Sequence, residues 1–112
     1  MSIIRRSVNK ITIIDVSGRL TIGQAVIDLK TAVSESLDAG SRKIVLNLAE
    51  VTYMDSSGIG QLIGSMKETV AFGGKLKLLN VNSRVNGLLR LTNVVFLFES
   101  FDDEAAAIQS FG

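Results

Sequence analysis

The run Ile44-Val45-Leu46-Asn47-Leu48 constrains the fold of this chain more than any other segment. It is short and almost entirely apolar, the pattern of a strand covered on both faces. Its neighbours supply the cover. Upstream, Ile22, Val26, Leu29, Val33 and Leu37 recur at spacings of four, three, four and four, lining one face of a helix over roughly Ile22 to Ala39. Lys30, Glu35 and Asp38 fall elsewhere on that wheel and stay in water, and Gly40 supplies the stop. Downstream, Ala49 to Met54 reads as a connection leading to Asp55. A second helix then runs to about Phe72, burying Ile59, Leu62, Ile63, Met66 and Val70, and Gly73-Gly74 ends it.

The remaining segments extend the same alternation. Ile3 to Val8 and Lys10 to Ser17 read as β-strands with Asn9 between them, the second rich in β-branched residues and ended by Gly18. Lys75 to Val81 reads as a strand with Leu76 and Leu78 on one side, Leu79 and Val81 on the other. Ser83 is the expected N-cap of a short helix carrying Val85, Leu88 and Leu89. Val94 to Phe98 reads as a last short strand. Asp102-Asp103-Glu104 then opens a final helix through Ile108, where the acids complement its dipole. Strands alternating with helices predict an α/β domain over residues 1–112, with a largely parallel sheet after a two-stranded start.

Composition excludes several kinds of chemistry. The 112 residues include no cysteine and no histidine, which removes thiol catalysis, thiolate metal sites, the commonest general base and any Ser-His triad. A net charge of +1 gives no reason to expect nucleic acid or an anionic membrane as partner. No apolar run approaches the roughly 20 residues of a membrane span, and Met1 to Arg6 holds no segment long enough for a signal peptide. The expected location is cytoplasmic. Asp15 and Asp28 have no partner at a metal-site spacing and read as solvated. Arg42-Lys43 and Lys75-x-Lys77 read as solubilising charges flanking strands, and Phe96, Phe98 and Phe101 as core beneath the last helix.

The segment Tyr53-Met54-Asp55-Ser56-Ser57-Gly58-Ile59-Gly60 is the candidate site. Asp55 reads as the N-cap of the second helix, accepting a hydrogen bond from a free N–H one turn in. Ser56 then falls at the first helical position with its side chain toward solvent, Ser57 follows, and Gly58 removes bulk from the same turn. A phosphate on Ser56 would change the local charge by about −1.5 to −2. It would gain from the helix terminus and be repelled by Asp55, so the surface changes and the fold does not. The plainer reading is a well-capped helix start and nothing more. A rival is Gly58-Ile59-Gly60-Gln61-Leu62-Ile63-Gly64, a glycine string that suggests nucleotide binding through Gly58, Gly60 and Gly64. Against it stand the intervening Ala49 to Met54, a first glycine inside the helix, and Asn80 where an acid would meet the ribose. Gly60 and Gly64 alternatively form a smooth stripe that a backbone can approach closely. A serine nucleophile has no G-x-S-x-G motif and no histidine behind it.

The stretch from Lys43 through Gly60, with Met-Asp-Ser-Ser-Gly-hydrophobic-Gly at its heart, closely resembles the STAS family, and within it the anti-sigma factor antagonists. The likeness runs along almost the whole chain. Gly18-Arg19-Leu20 resembles the family's Gly-x-Leu before its first helix, and Gly73-Gly74-Lys75-Leu76 its turn before the next strand. Leu88 to Val95 and Asp103-Glu104-Ala105 resemble its closing elements. The resemblance implies a single STAS-like α/β domain with a mixed, mostly parallel sheet of about four to five strands and about four helices.

It further implies a non-enzymatic switch without cofactor or metal. Ser56 would be phosphorylated by an anti-sigma factor that is itself a serine kinase with a histidine-kinase-like ATPase fold. The unphosphorylated form would bind that kinase and free the sigma factor, phosphorylation would abolish binding, and a phosphatase would reset it. The implied contact surface comprises Leu20, Thr21 and Gly23, then Tyr53, Met54, Asp55, Ser57 and Gly58, then Gln61 and Gly64. The chain itself is expected as a monomer or weak homodimer. The family commonly has Asp where this chain has Thr21, which removes a negative charge beside Ser56. The alternative within the family is a constitutive STAS scaffold, or a subunit of a transporter or regulatory assembly, in which Ser56 is never phosphorylated.

Overall fold

Asn9 and Lys10 both adopt positive φ, 51° and 67°, and so make a two-residue turn that pairs Val8 directly with Ile11. The turn is therefore Asn9-Lys10 and not Asn9 alone. It joins β1 (Ser2–Val8) to β2 (Ile11–Leu20) in the only antiparallel ladder of the sheet. The computed structural model describes residues 1–112. After β2 come α1 (Gln24–Asp38), β3 (Lys43–Met54), α2 (Ser56–Ala71), β4 (Lys75–Leu79), α3 (Ser83–Leu91), a 3-10 turn (Val94–Leu97), β5 (Ser100–Phe101) and α4 (Glu104–Gln109). The strands lie in the order β1-β2-β3-β4-β5, and β2 through β5 are parallel. The expected mixed, mostly parallel α/β architecture is present.

The core divides at the sheet. Ile14, Val16, Ile44, Leu46, Leu48, Leu76 and Leu78 face α1, α2 and α3, which contribute Leu29, Val33, Leu37, Leu62, Val85 and Leu89. Ile11, Ile13, Val45 and Leu79 point the other way, under α4 and its Ala107. Ile44, Val45 and Leu46 are buried in succession because neighbouring side chains of a strand point to opposite faces, and both faces of β3 are covered.

Several expected boundaries move. Gly18 does not end β2; it sits within the strand at φ 94°. Ala49 to Met54 is strand, not connection, because β2 continues to pair with it. The pairing passes from Asp15↔Asn47 to Ser17↔Glu50 and from Gly18↔Val51 to Arg19↔Tyr53, so β3 takes an extra residue at each step. Ile22 is 78% exposed and precedes α1, and Val70 is 58% exposed on the outer side of α2. Asn82, not Ser83, caps α3 by accepting the N–H of Val85 at 2.9 Å. Val81 lies beyond β4 and packs on the three-helix side with Leu76 and Leu78.

Val94 to Phe98 is not a strand. Asn93 at φ 60° turns it into the 3-10 segment, and the edge strand is Ser100–Phe101. Phe96 is exposed, Phe98 packs on the three-helix side, and Phe101 packs with α4, so these rings form no single cluster. Asp15 is not merely solvated: it accepts from Arg6 at 2.7 Å and from Asn47 at 2.8 Å. Lys77 is buried, donating to the carbonyl and hydroxyl of Ser110 at 3.1 and 2.9 Å.

Candidate functional site

Leu20 and Met54 are paired at the ends of adjacent parallel strands, so the segment after β2 and the start of α2 meet at one corner. Asp55 is the hinge of that corner. Its backbone is extended (φ −101°, ψ −175°), which is what an N-cap requires, and its carboxylate accepts the N–H of Gly58 at 2.9 Å. The other carboxylate oxygen accepts the N–H of Ile22 at 2.9 Å. These backbone donors, Ile22 first and Gly58 second, hold the Asp55 carboxyl below its ordinary pKa. The backbone N–H of Asp55 completes the clasp by donating to the Leu20 carbonyl at 3.4 Å.

Gly58 belongs to the same joint. A Cβ there would collide with the Leu20 carbonyl oxygen and the Met54 side chain, so glycine is what lets α2 lie against the end of β2. β3 runs straight into α2, which removes one argument against the nucleotide reading, but Gly58 lies inside the first turn of the helix and is packed against protein. Asn80 donates to the side chain of Asn47 at 3.3 Å. Gly60 and Gly64 are exposed, with open space at Gly60, so no backbone of this chain occupies their stripe.

The expected site residues divide by burial. Ser56, at the first position of α2, is exposed, and Ser57 is half-buried. Thr21 and Gln61 are half-buried, Gly23 and Gly64 exposed, and Gln61 donates to Ser65 at 3.0 Å. Tyr53 is 39% exposed, and the Arg19 guanidinium lies 4.7 Å from the centre of its ring. Leu20, Met54 and Gly58 are buried, contrary to their expected place on a contact surface. They shape the corner from beneath because each sits where β2, β3 and α2 close on one another.

Three surface features escaped the sequence reading. Ile22 presents an almost fully exposed apolar side chain beside the cap, where helical periodicity had assigned it to the core. Gly23 directly after it, at φ 111°, is the signal that the helix starts later. A groove of about 540 Å³ lies alongside Tyr53, walled by Arg84, Gly87, Leu88 and Leu91. Leu91 is 85% exposed at its rim.

Comparisons with known proteins bear on the family and the fold. The family model of the STAS domain matches residues 2–107. The anti-sigma-B factor antagonist of Staphylococcus aureus is 31% identical over 81 residues, which span 72% of this chain and 74% of that protein. A crystal structure of a Thermotoga maritima protein superposes with a TM-score of 0.87 at 27% identity, covering 96% of this chain and 92% of that one. The Bacillus anti-sigma factor antagonist SpoIIAA, solved in its unphosphorylated form, superposes with a TM-score of 0.73 at 25% identity, covering 98% of this chain and 97% of that one.

Proposed function

The chain belongs to the STAS domain family, and from that premise we propose that it is an anti-sigma factor antagonist whose partner choice is set by phosphorylation of Ser56. The observation that carries the reading is the position of Ser56. It is exposed, one residue after a carboxylate cap and at the first turn of α2. The relatives named as anti-sigma factor antagonists, one of them solved expressly unphosphorylated, support the same role.

In this reading the unphosphorylated corner docks against an anti-sigma factor that is a serine kinase of histidine-kinase-like ATPase fold. Ile22, Tyr53, Ser57, Gln61 and the open stripe of Gly60 and Gly64 form the contact. A phosphate on Ser56 would sit beside the ionised Asp55 and inside that contact. A buried charge without a partner costs several kcal/mol, and each ~1.4 kcal/mol is tenfold in affinity. Asp55 is already committed to Ile22 and Gly58, so the added charge alters the surface without undoing the cap. The protein has no chemistry of its own in this scheme. It works in the cytoplasm, and a phosphatase resets it.

Intact-mass analysis after incubation with the host's anti-sigma kinases and ATP tests the proposal. A single phosphate mapped to Ser56 is the expected result. Thr21, in place of the family's usual Asp, favours a second reading: a constitutive STAS scaffold or assembly subunit in which Ser56 is only exposed. That reading predicts a stable complex and no phosphate under any condition.

A further inference from the structure

Lys43 and Lys75 begin adjacent parallel strands and stand directly opposite one another in the β3–β4 ladder, at the far end of β3 from Ser56. Like charges placed opposite one another across a ladder repel. Neither lysine joins any of the four ion pairs of the chain, and nor does the adjacent Arg42. Arg42 is nevertheless held in place. One guanidinium nitrogen donates to the carbonyls of Leu37 and Ser41 at 3.0 and 2.7 Å, and the group stacks on the Phe72 ring at 5.3 Å. Those bonds use one edge of the guanidinium fork and leave its other N–H groups for a ligand.

The same residues wall a cleft. Arg42, Lys43, Lys75 and the Gly73-Gly74 turn line about 200 Å³ of open space, with the Phe111 ring as its remaining wall and no acidic side chain in the lining. Gly74 draws the turn against Arg42, since a Cβ there would collide with the Arg42 carbonyl oxygen, and the N–H of Lys75 donates to that carbonyl at 2.8 Å. The backbone therefore fixes the spacing of the three residues, and the Arg42 guanidinium is held before any ligand arrives. A partly preset site of this kind lowers the ordering cost of binding. An arginine fork beside lysine point charges suits phosphate oxygens.

We propose that the cleft formed by Arg42, Lys43, Lys75 and Phe111 binds a phosphate dianion, either free inorganic phosphate or the phosphate of a small phosphomonoester. The volume admits the phosphoryl group and a short organic tail against Phe111.

The test is a titration of the full chain with sodium phosphate at constant ionic strength, followed by amide chemical shifts in two-dimensional NMR. Saturable shifts confined to Arg42, Lys43, Gly73, Gly74 and Lys75 are expected. A Lys43→Gln/Lys75→Gln variant weakens binding at least fivefold, while Lys30→Gln on the exposed face of α1 leaves it unchanged. Glycerol phosphate in a parallel titration separates the sources: tighter binding marks the ester, equal binding the free ion. Shifts that never saturate, that chloride reproduces at equal ionic strength, or that survive in the double variant mean an adventitious ion only and overturn the proposal. The readout lies at the opposite end of β3 from Ser56, so it stands or falls independently of the phospho-switch.

Discussion

The Asp55 carboxylate accepts the backbone N–H of Ile22 at 2.9 Å, joining residues 33 positions apart. Because the same carboxylate caps α2 through Gly58, one side chain holds the segment after β2 against the helix that carries Ser56. Asp55→Ala frees both N–H groups. The two amides should then exchange with solvent about tenfold faster, as when a cap is lost. Asp55→Asn keeps one carbonyl oxygen, so Gly58 should stay protected while Ile22 exchanges faster. Native-state hydrogen exchange followed by NMR distinguishes the two. The Asp55 carboxyl is held below its ordinary pKa, so the clasp is fully present above the unfolded carboxylate range and opens only as pH falls through the lowered value.

Ser56 is exposed and lies outside this clasp. Under the proposed switch, Ser56→Ala should bind the anti-sigma kinase without release, and Ser56→Glu should bind at least tenfold more weakly, a difference of about 1.4 kcal/mol. Neither change should alter the unfolding free energy by more than about 0.5 kcal/mol. Titration calorimetry against the purified kinase is the measurement, and equal affinities for both variants would refute the mechanism.

Gly58, Gly60 and Gly64 lie on one helix but should respond oppositely to alanine. Gly58→Ala drives a methyl into the Leu20 carbonyl and Met54, an overpacking that costs about 1–3 kcal/mol. Gly60→Ala meets open space and should stabilise α2 by roughly 0.5–1 kcal/mol. Gly64→Ala should do the same, since only the Gln61 side chain, at 3.9 Å, is near. Thermal unfolding separates the directions, at about 4–8 °C per kcal/mol for a domain of this size. If the stripe is a contact surface, the stabilised variants should also bind the partner less well.

Arg6 bridges Asp15 on β2 and Glu104 at the start of α4, and so ties the last helix to the first hairpin. Its hydrogen bonds hold both carboxyls below their usual pKa. Depressed carboxyl values contribute stability above the unfolded range, near pH 4, which is lost as pH falls through the folded values. Each of these side chains is about a third exposed, so solvent screens the network; Arg6→Gln should cost about 1 kcal/mol at pH 7. Once the pH has fallen below both lowered folded-state values, the variant and the parent should have the same urea midpoint, because both carboxyls are then protonated in both states.

Lys77 is only 3% exposed and carries its ammonium to Ser110, 4.4 Å from the centre of the Phe111 ring. Lys77→Ala removes the buried stem and should cost about 2–4 kcal/mol. Lys77→Met keeps the volume and loses chiefly the Ser110 bonds, for about 1 kcal/mol. Urea unfolding of the two variants separates packing from charge.

Local signals were sufficient wherever neighbours along the chain decide the outcome. The all-apolar Ile44–Leu48 run declared a strand covered on both faces, and Asp55 declared a cap, because each reading depends only on side chains a few residues apart. Lys77 was misread as a solubilising charge because its partner Ser110 lies 33 residues away. Ile22 was misread as core because it continues the period of α1, although Gly23, directly after it, delays the helix to Gln24.

Along the chain, the alternation of apolar periods determined the α/β class, the order of elements and the exposed serine behind a capping acid. Nothing local could decide how far β2 and β3 stay paired, since an extended ladder is an agreement between two distant segments. That pairing turned an expected loop into strand, took up two extra residues in β3, and set Leu20 beside Met54. It thereby brought Ile22 within reach of Asp55. The tertiary structure alone sorted the candidate contact residues into those that are open to solvent and those that hold the corner from beneath. Burial is a property of what packs above a residue, and its own neighbours in the chain carry little of that information.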